Sequence, residues 1–208
     1  PSHSYRLCWT KGIYNPMKFV ALSLRLDFYD DRNELREGVD QKLISWLSFL
    51  GLTAIPISNS LAENALPQNT DASQLDNLLD EIGVVGIVLS GGNNLGTYPN
   101  RDQTELNLLN YAENKNLPVL GICRGMQLMA SRAGVDVMRV NGHANTEHLL
   151  NGEICGSVMS YHDFAIKKCP RDYRVLAQSE DGSIEAIRHK SLPWEGWMWH
   201  PERRTIFS

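Results

Sequence analysis

The sequence predicts an α/β fold: an open, mostly parallel sheet flanked by helices, with an antiparallel portion in the C-terminal half. Three observations carry that expectation. Between about residues 18 and 125, strand-like and helix-like segments alternate, which calls for crossover connections, parallel strands and helices on both faces. The run VVGIVLS at 84–90 is apolar without alternation, as in a strand covered on both sides. From about 135 onward, strand-like pieces follow one another with no helical period between them.

The elements follow in order. Residues 1–16, PSHSYRLCWTKGIYNP, show no period and read as an N-terminal extension without function; Met17 is the expected start. Residues 17–208 are expected to form one domain, because a chain of 208 residues supports one substantial core and not two. A strand at about 18–25 leads into a polar loop, LDFYDDRNE. In LREGVDQKLISWLSFLG, Val39, Leu43, Ile44, Trp46, Leu47 and Leu50 recur at helical spacing up to Gly51. LTAIPISN is a short strand, and SQLDNLLDEIG a helix capped by Asp71 or Ser73 at one end and Gly83 at the other. VVGIVLS breaks into SGGNNLGTYPN, a helix at about 102–115 follows, and PVLGI is the next strand. VDVMRV, EICGSVMSY, RVLAQS, SIEAIRH and GWMWH complete the strand-like set. Open α/β sheets bind ligands beyond the carboxyl ends of their strands, so the turns after Ser90 and Ile122 are the places to look.

Composition removes several classes of function. Lys and Arg number 20 against 24 Asp and Glu, a net charge of −4, and the cations are scattered, with no run longer than a pair such as Arg203-Arg204. Nucleic acid and anionic membrane are therefore not expected partners. No apolar stretch nears the ~20 residues of a membrane span and no secretory leader opens the chain, so a cytoplasmic location is expected. Cys8, Cys123, Cys155 and Cys169 lack C-x-x-C spacing and read as free thiols rather than as zinc ligands or a disulfide framework.

One of those thiols is different. Gly121-Ile122-Cys123-Arg124-Gly125 has the small-x-nucleophile-x-small form of a nucleophile elbow, where a strand turns sharply into a helix and holds the central side chain in a strained position. A Cβ at either flank would collide with neighbouring chain, and the helix N-terminus favours thiolate. A nucleophilic cysteine needs a base and a group to orient it. Trp199-His200-Pro201-Glu202 supplies both types, with Pro201 ending the strand so that Glu202 can fold back to the imidazole. Either motif alone also fits an ordinary structural turn.

Together, GICRGMQ and WHPE resemble the class I glutamine amidotransferases, and more narrowly their stand-alone γ-glutamyl hydrolase branch, from about Met17 to Glu202. The resemblance implies a flavodoxin-like sheet, no cofactor, and a triad of Cys123 as nucleophile, His200 as general base and acid, and Glu202 as its orienter. It further implies an oxyanion hole from the backbone N–H of Gly92, in the SGGNN loop, and that of Arg124, with Gly91 and Asn93 of the same loop expected to contact substrate. Gln127, Ser160, Tyr161 and His162 match positions lining a glutamyl pocket. LSLRLDFYDDRNELREGVDQKL resembles the opening of bacterial relatives in sugar-nucleotide and capsule pathways, with Arg25 at the end of the first strand suited to a carboxylate or phosphate, or else to a surface pair with Asp27 or Asp30. NGHANTEHLL, with His143 and His148, resembles a segment of the same group; the spacing is weak for metal, so no metal is assigned and both histidines are expected either to support site residues from behind or to be structural.

The implied chemistry is hydrolysis of a γ-glutamyl amide, a small-molecule substrate, through a γ-glutamyl thioester. The capsule-type opening favours γ-glutamyl-CDP-amidate, split into CDP-amidate and glutamate. A glutaminase subunit passing ammonia to a synthase partner is the alternative, and a non-catalytic binding module on the same fold is the alternative of another class. Homodimerisation stays open. The family's usual terminal helix has only RRTIFS in its place here.

Overall fold

The computed structural model describes residues 17–63 and 72–203; the N-terminal extension, the cap position Asp71 and the last five residues lie outside them. Five strands form the parallel half of a nine-stranded sheet: β1 (Lys18–Ser23), β4 (Leu52–Ile57), β5 (Gly86–Leu89), β6 (Val119–Ile122) and β13 (Trp194–Trp197). Their order is β4-β1-β5-β6-β13. Antiparallel pairing continues the sheet through β12 (Ile184–His189), β11 (Tyr173–Gln178), β8 (Ala144–Gly152) and β9 (Gly156–Tyr161). The expected mixed sheet is thus present.

Every residue of β5 and β6 is buried, which accounts for their unbroken apolar runs. On one face, α3 (Ala72–Ile82), α4 (Pro99–Lys115) and α5 (Arg124–Arg132) contribute Leu79, Leu108, Leu109, Met126 and Met129 to the core. On the other, α1 (Gln41–Phe49) supplies Leu43, Trp46 and Leu47. There Trp46 meets Trp197 edge-on at 6.3 Å, and Trp197 stacks on Trp199 at 5.4 Å. A short α2 (Ser60–Glu63) follows β4.

Several boundaries differ from the sequence expectation. LDFYDDRNE is not a loop: β2 (Arg25–Tyr29) and β3 (Glu34–Gly38) form an antiparallel hairpin. Its turn closes with Asn33 in the left-handed region at φ 49°. Charged pairs such as Arg25 with Asp27 and Arg36 with Glu34 line the ribbon, so no apolar alternation betrayed it. The first helix consequently starts only after Asp40, whose carboxylate accepts a hydrogen bond from the Lys42 N–H at 2.9 Å. Arg25 opens β2 rather than ending β1. Ser73 falls inside α3, not at its cap, whereas Gly83 ends that helix at φ 70° as expected. NGHANTEHLL supplies most of β8, which the sequence reading did not assign as a strand, and VDVMRV contributes only β7 (Met138–Arg139), paired with β10 (Phe164–Ala165).

Candidate active site

Three strand ends meet at one level. In the sheet β6 lies between β5 and β13, with Leu89 opposite Gly121 and Trp197 opposite Ile122. The next residues on each strand are therefore neighbours: the SGG loop after β5, Cys123 after β6 and the Trp199-His200 segment after β13. The Cys123 N–H donates to the Trp197 carbonyl at 2.7 Å, which ties the turn to the neighbouring strand.

Cys123 has φ 52° and ψ −106°, a backbone conformation that costs a non-glycine residue free energy. Its flanks must be glycine. A Cβ on Gly125 would lie 2.5 Å from the Leu89 carbonyl oxygen, and one on Gly121 would lie 2.6 Å from Met129 Sδ and 2.7 Å from the Gly125 carbonyl carbon. Gly91 has a matching constraint, since a Cβ there would come within 2.6 Å of the His200 ring and 3.6 Å of Cys123 Cβ.

His200 Nδ1 is 2.7 Å from Glu202 Oε1, with Glu202 on a short 3-10 turn, Pro201–Arg203, and only 2% exposed. Burial disfavours a charged His200, but hydrogen bonds with Cys123 and Glu202 outweigh it and raise the imidazole to about 9. At neutral pH a protonated ring thus stands beside the sulfur. Such an arrangement can deliver a proton to a leaving amine and take one back from water.

A cleft of about 250 Å³ opens on this group. Of the residues expected in the site, Arg25, Gly91, Gly92, Arg124 and Gln127 line it, as do Tyr161 and His162. Asn93 and Ser160 are not among the described residues that line it. Asn93 exchanges two hydrogen bonds with the backbone of Leu26, at 2.8 and 2.9 Å, and so fastens the loop to β2. Ser160 is fully buried. Arg25 pairs with Asp27 at 2.6 Å. Gln127 donates to the Phe164 carbonyl at 2.9 Å, and the Tyr161 ring meets His200 edge-on at 6.0 Å.

The glycine loop is held by groups that sequence reasoning missed. Arg101, fully buried, donates to the carbonyls of Ser90 and Gly91 at 3.0 and 2.9 Å and to Asn93 Oδ1 at 2.9 Å. Glu105 accepts from Arg101 and also from Arg124, and Asp102 pairs with Arg124 as well. Burial lowers Arg101 to about 10, with Glu105 opposing the fall. The signal available in the sequence was the i, i+4 spacing of Arg101 and Glu105 at the start of this helix.

Beyond His200 lies a second cavity of about 220 Å³, lined by Glu147, Ser157, Met159 and Trp199. It shares His200 and Arg203 with the first. The Arg203 guanidinium lies over the Tyr161 ring, 4.4 Å from its centroid.

Comparison with known proteins agrees with this architecture. The family model "Glutamine amidotransferase class-I" matches residues 57–205. A γ-glutamyl-CDP-amidate hydrolase of Campylobacter jejuni is 30% identical over 196 residues, covering 90% of this chain and 91% of that protein. One subunit of a glutamine-hydrolysing GMP synthase from Methanothrix thermoacetophila is 32% identical, covering 69% of this chain and 82% of its own length. Among solved structures, a putative GMP synthase subunit from Thermoplasma acidophilum superposes with a TM-score of 0.65 at 21% identity, over 91% of this chain and 86% of that one. Among the described residues, no helix is long and apolar enough to cross a membrane.

Proposed function

We propose that this chain, which belongs to the class I glutamine amidotransferase family, hydrolyses γ-glutamyl-CDP-amidate to glutamate and CDP-amidate with Cys123, His200 and Glu202 as its triad. The observation that supports the triad is the single contact set at the strand ends: His200 on Glu202 at 2.7 Å, hydrogen-bonded to Cys123, against a glycine that leaves room for the ring.

In the first step the Cys123 sulfur bonds to the γ-carbonyl carbon, and its oxygen becomes an oxyanion that the N–H groups of Gly92 and Arg124 accommodate. The C–N bond then breaks as His200 gives its proton to the departing nitrogen. Water attacks the thioester next and loses a proton to His200. The C–S bond breaks, glutamate leaves and the sulfur is restored.

Near-full-length similarity to the Campylobacter hydrolase supports the substrate, as does the second cavity, which gives a bulky amine product room beyond His200. Arg203, at the boundary of the two cavities, is placed to meet its phosphates. The Arg203→Ala variant should raise KM for γ-glutamyl-CDP-amidate by about 10-fold or more while moving KM for glutamine less than about two-fold. Equal changes for both substrates would remove Arg203 from leaving-group recognition.

Similarity to the GMP synthase subunits favours a second reading, in which glutamine is the substrate and ammonia passes to a synthase. Glutamate release separates the two. Under the hydrolase reading, kcat/KM for γ-glutamyl-CDP-amidate exceeds that for glutamine by at least about 100-fold without any partner, and Cys123→Ala lowers it by at least about 10⁴-fold. Glutaminase activity that emerges only on adding a synthase defeats the hydrolase reading. Undiminished release by Cys123→Ala defeats the triad.

A further inference from the structure

Behind the cleft wall, side chains from three separate segments meet without hydrogen-bonding one another. Glu185 of β12 is fully buried; His143, just before β8, and His162, just after β9, are 2% and 3% exposed. Glu185 Oε1 lies 3.6 Å from His143 Nδ1 and 3.7 Å from His162 Nε2, beyond hydrogen-bond reach. Both Glu185 oxygens, His143 Nδ1 and both His162 ring nitrogens are buried and have no hydrogen-bond partner among the described residues. The His148 ring lies against that of His143, tilted by 39° with centroids 4.3 Å apart, and its Nε2 is likewise buried with no hydrogen-bond partner among the described residues. A buried carboxylate left in this state costs several kcal/mol. A cation belongs beside it.

The hydrogen bonding around His143 narrows what that cation is. Its Nε2 is 3.2 Å from Asp181 Oδ2. Asp181 accepts from the Ser179 hydroxyl, the Ser183 N–H and hydroxyl, and Lys167, all within 2.9 Å, so it acts as an acceptor and His143 donates from Nε2. Nδ1, on the opposite side of the ring, faces Glu185 without a hydrogen-bond partner among the described residues. A buried carboxylate and an unpartnered imidazole nitrogen that face each other, with a second carboxylate holding the far side of the imidazole, have the arrangement of a carboxylate–histidine–metal site.

We propose that His143 Nδ1, His162 Nε2 and Glu185 bind a divalent cation of the zinc class. The three ligand atoms lie within 4.8 Å of one another. Tetrahedral bonds of ~2.0–2.2 Å separate ligands by roughly 3.4 Å, so small side-chain rotations suffice. Sequence spacing argued against metal because it considered His143 and His148 alone; the group instead draws on residues far apart in the chain. The ion clamps the β8–β9 hairpin to β12 and fixes the cleft wall at His162, next to Tyr161. Its role is positional, and it takes no part in the thioester chemistry.

The test uses Cys123→Ala protein, so that the proposed nucleophile cannot serve as a ligand and the result does not depend on the γ-glutamyl reading. After chelator dialysis, Zn²⁺ is titrated by competition with a chromophoric chelator, Co²⁺ by visible absorption, and the melting temperature is followed with and without Zn²⁺. Stoichiometric Zn²⁺ uptake, tetrahedral Co²⁺ bands and a raised melting temperature are expected. Glu185→Gln should weaken Zn²⁺ binding by at least about 100-fold and Asp181→Asn by about 10- to 100-fold. Circular dichroism checks folding; if Glu185→Gln does not fold, the half-exposed Asp181 gives the comparison. No uptake by Cys123→Ala protein, or uptake that both substitutions leave unchanged, overturns the proposal.

Discussion

At His200 two influences oppose each other, and the balance sets a pH dependence. Its folded value of about 9 lies above the ordinary imidazole value of about 6.5, so the stabilisation is complete below about pH 6.5 and is lost as pH rises through 9. The free energy of unfolding should accordingly fall by up to roughly 3 kcal/mol between those limits. Urea melts across that window measure it. Glu202→Gln removes the carboxylate charge from one of the two hydrogen-bonding partners of His200 and should flatten the slope while lowering kcat by about 10²- to 10⁴-fold; a slope that the substitution leaves intact would show that Glu202 does not hold the imidazole. That Cys123, His200 and Glu202 come together was legible because each motif is contiguous and its chemistry local. Arg101 and Glu185 were not, because each meets groups on other segments that only the fold brings to it: the loop carbonyls of Ser90 and Gly91 for one, His143 and His162 for the other.

Among the elements, the β6–α5 turn is held tightly by backbone contacts on both sides of Cys123. Gly125→Ala should destabilise the protein by about 1–3 kcal/mol, because the nearest obstacle is the Leu89 carbonyl, a backbone atom that cannot rotate away. A lowered urea midpoint at unchanged slope is the expected result, and wild-type stability in the variant would mean that β5 and β6 can separate at little cost. Elements differ in how well their sequences announce them. β5 and β6 were evident because burial on both faces demands continuous apolar residues. The β2–β3 hairpin went unread as strands because its pairs are largely charged and exposed, so its register rests on the turn at Asp30–Asn33 and on cross-strand backbone bonds rather than on a hydrophobic face.

For the whole molecule, sheet order matters more than any one contact. The parallel half was legible from alternating strands and helices, but the insertion of the last strand, β13, between β6 and β12 was not, because no local pattern encodes which strands become neighbours. The order has a kinetic consequence. Cys123 and His200 become neighbours only when β13 pairs with β6, and everything from α5 to β12 lies between them in the chain. Contacts of such long sequence separation form slowly, since loop closure precedes the stabilisation they bring. In protein whose other cysteines are serine, Cys123 should therefore acquire its native rate of alkylation by iodoacetamide only in the slowest major refolding phase, after helical circular dichroism has recovered. Native alkylation in an earlier phase would mean that β6 and β13 pair first. Under the expected order, a chain halted before its last strand docks carries the sulfur without its imidazole, and catalytic competence becomes a property of the finished fold alone.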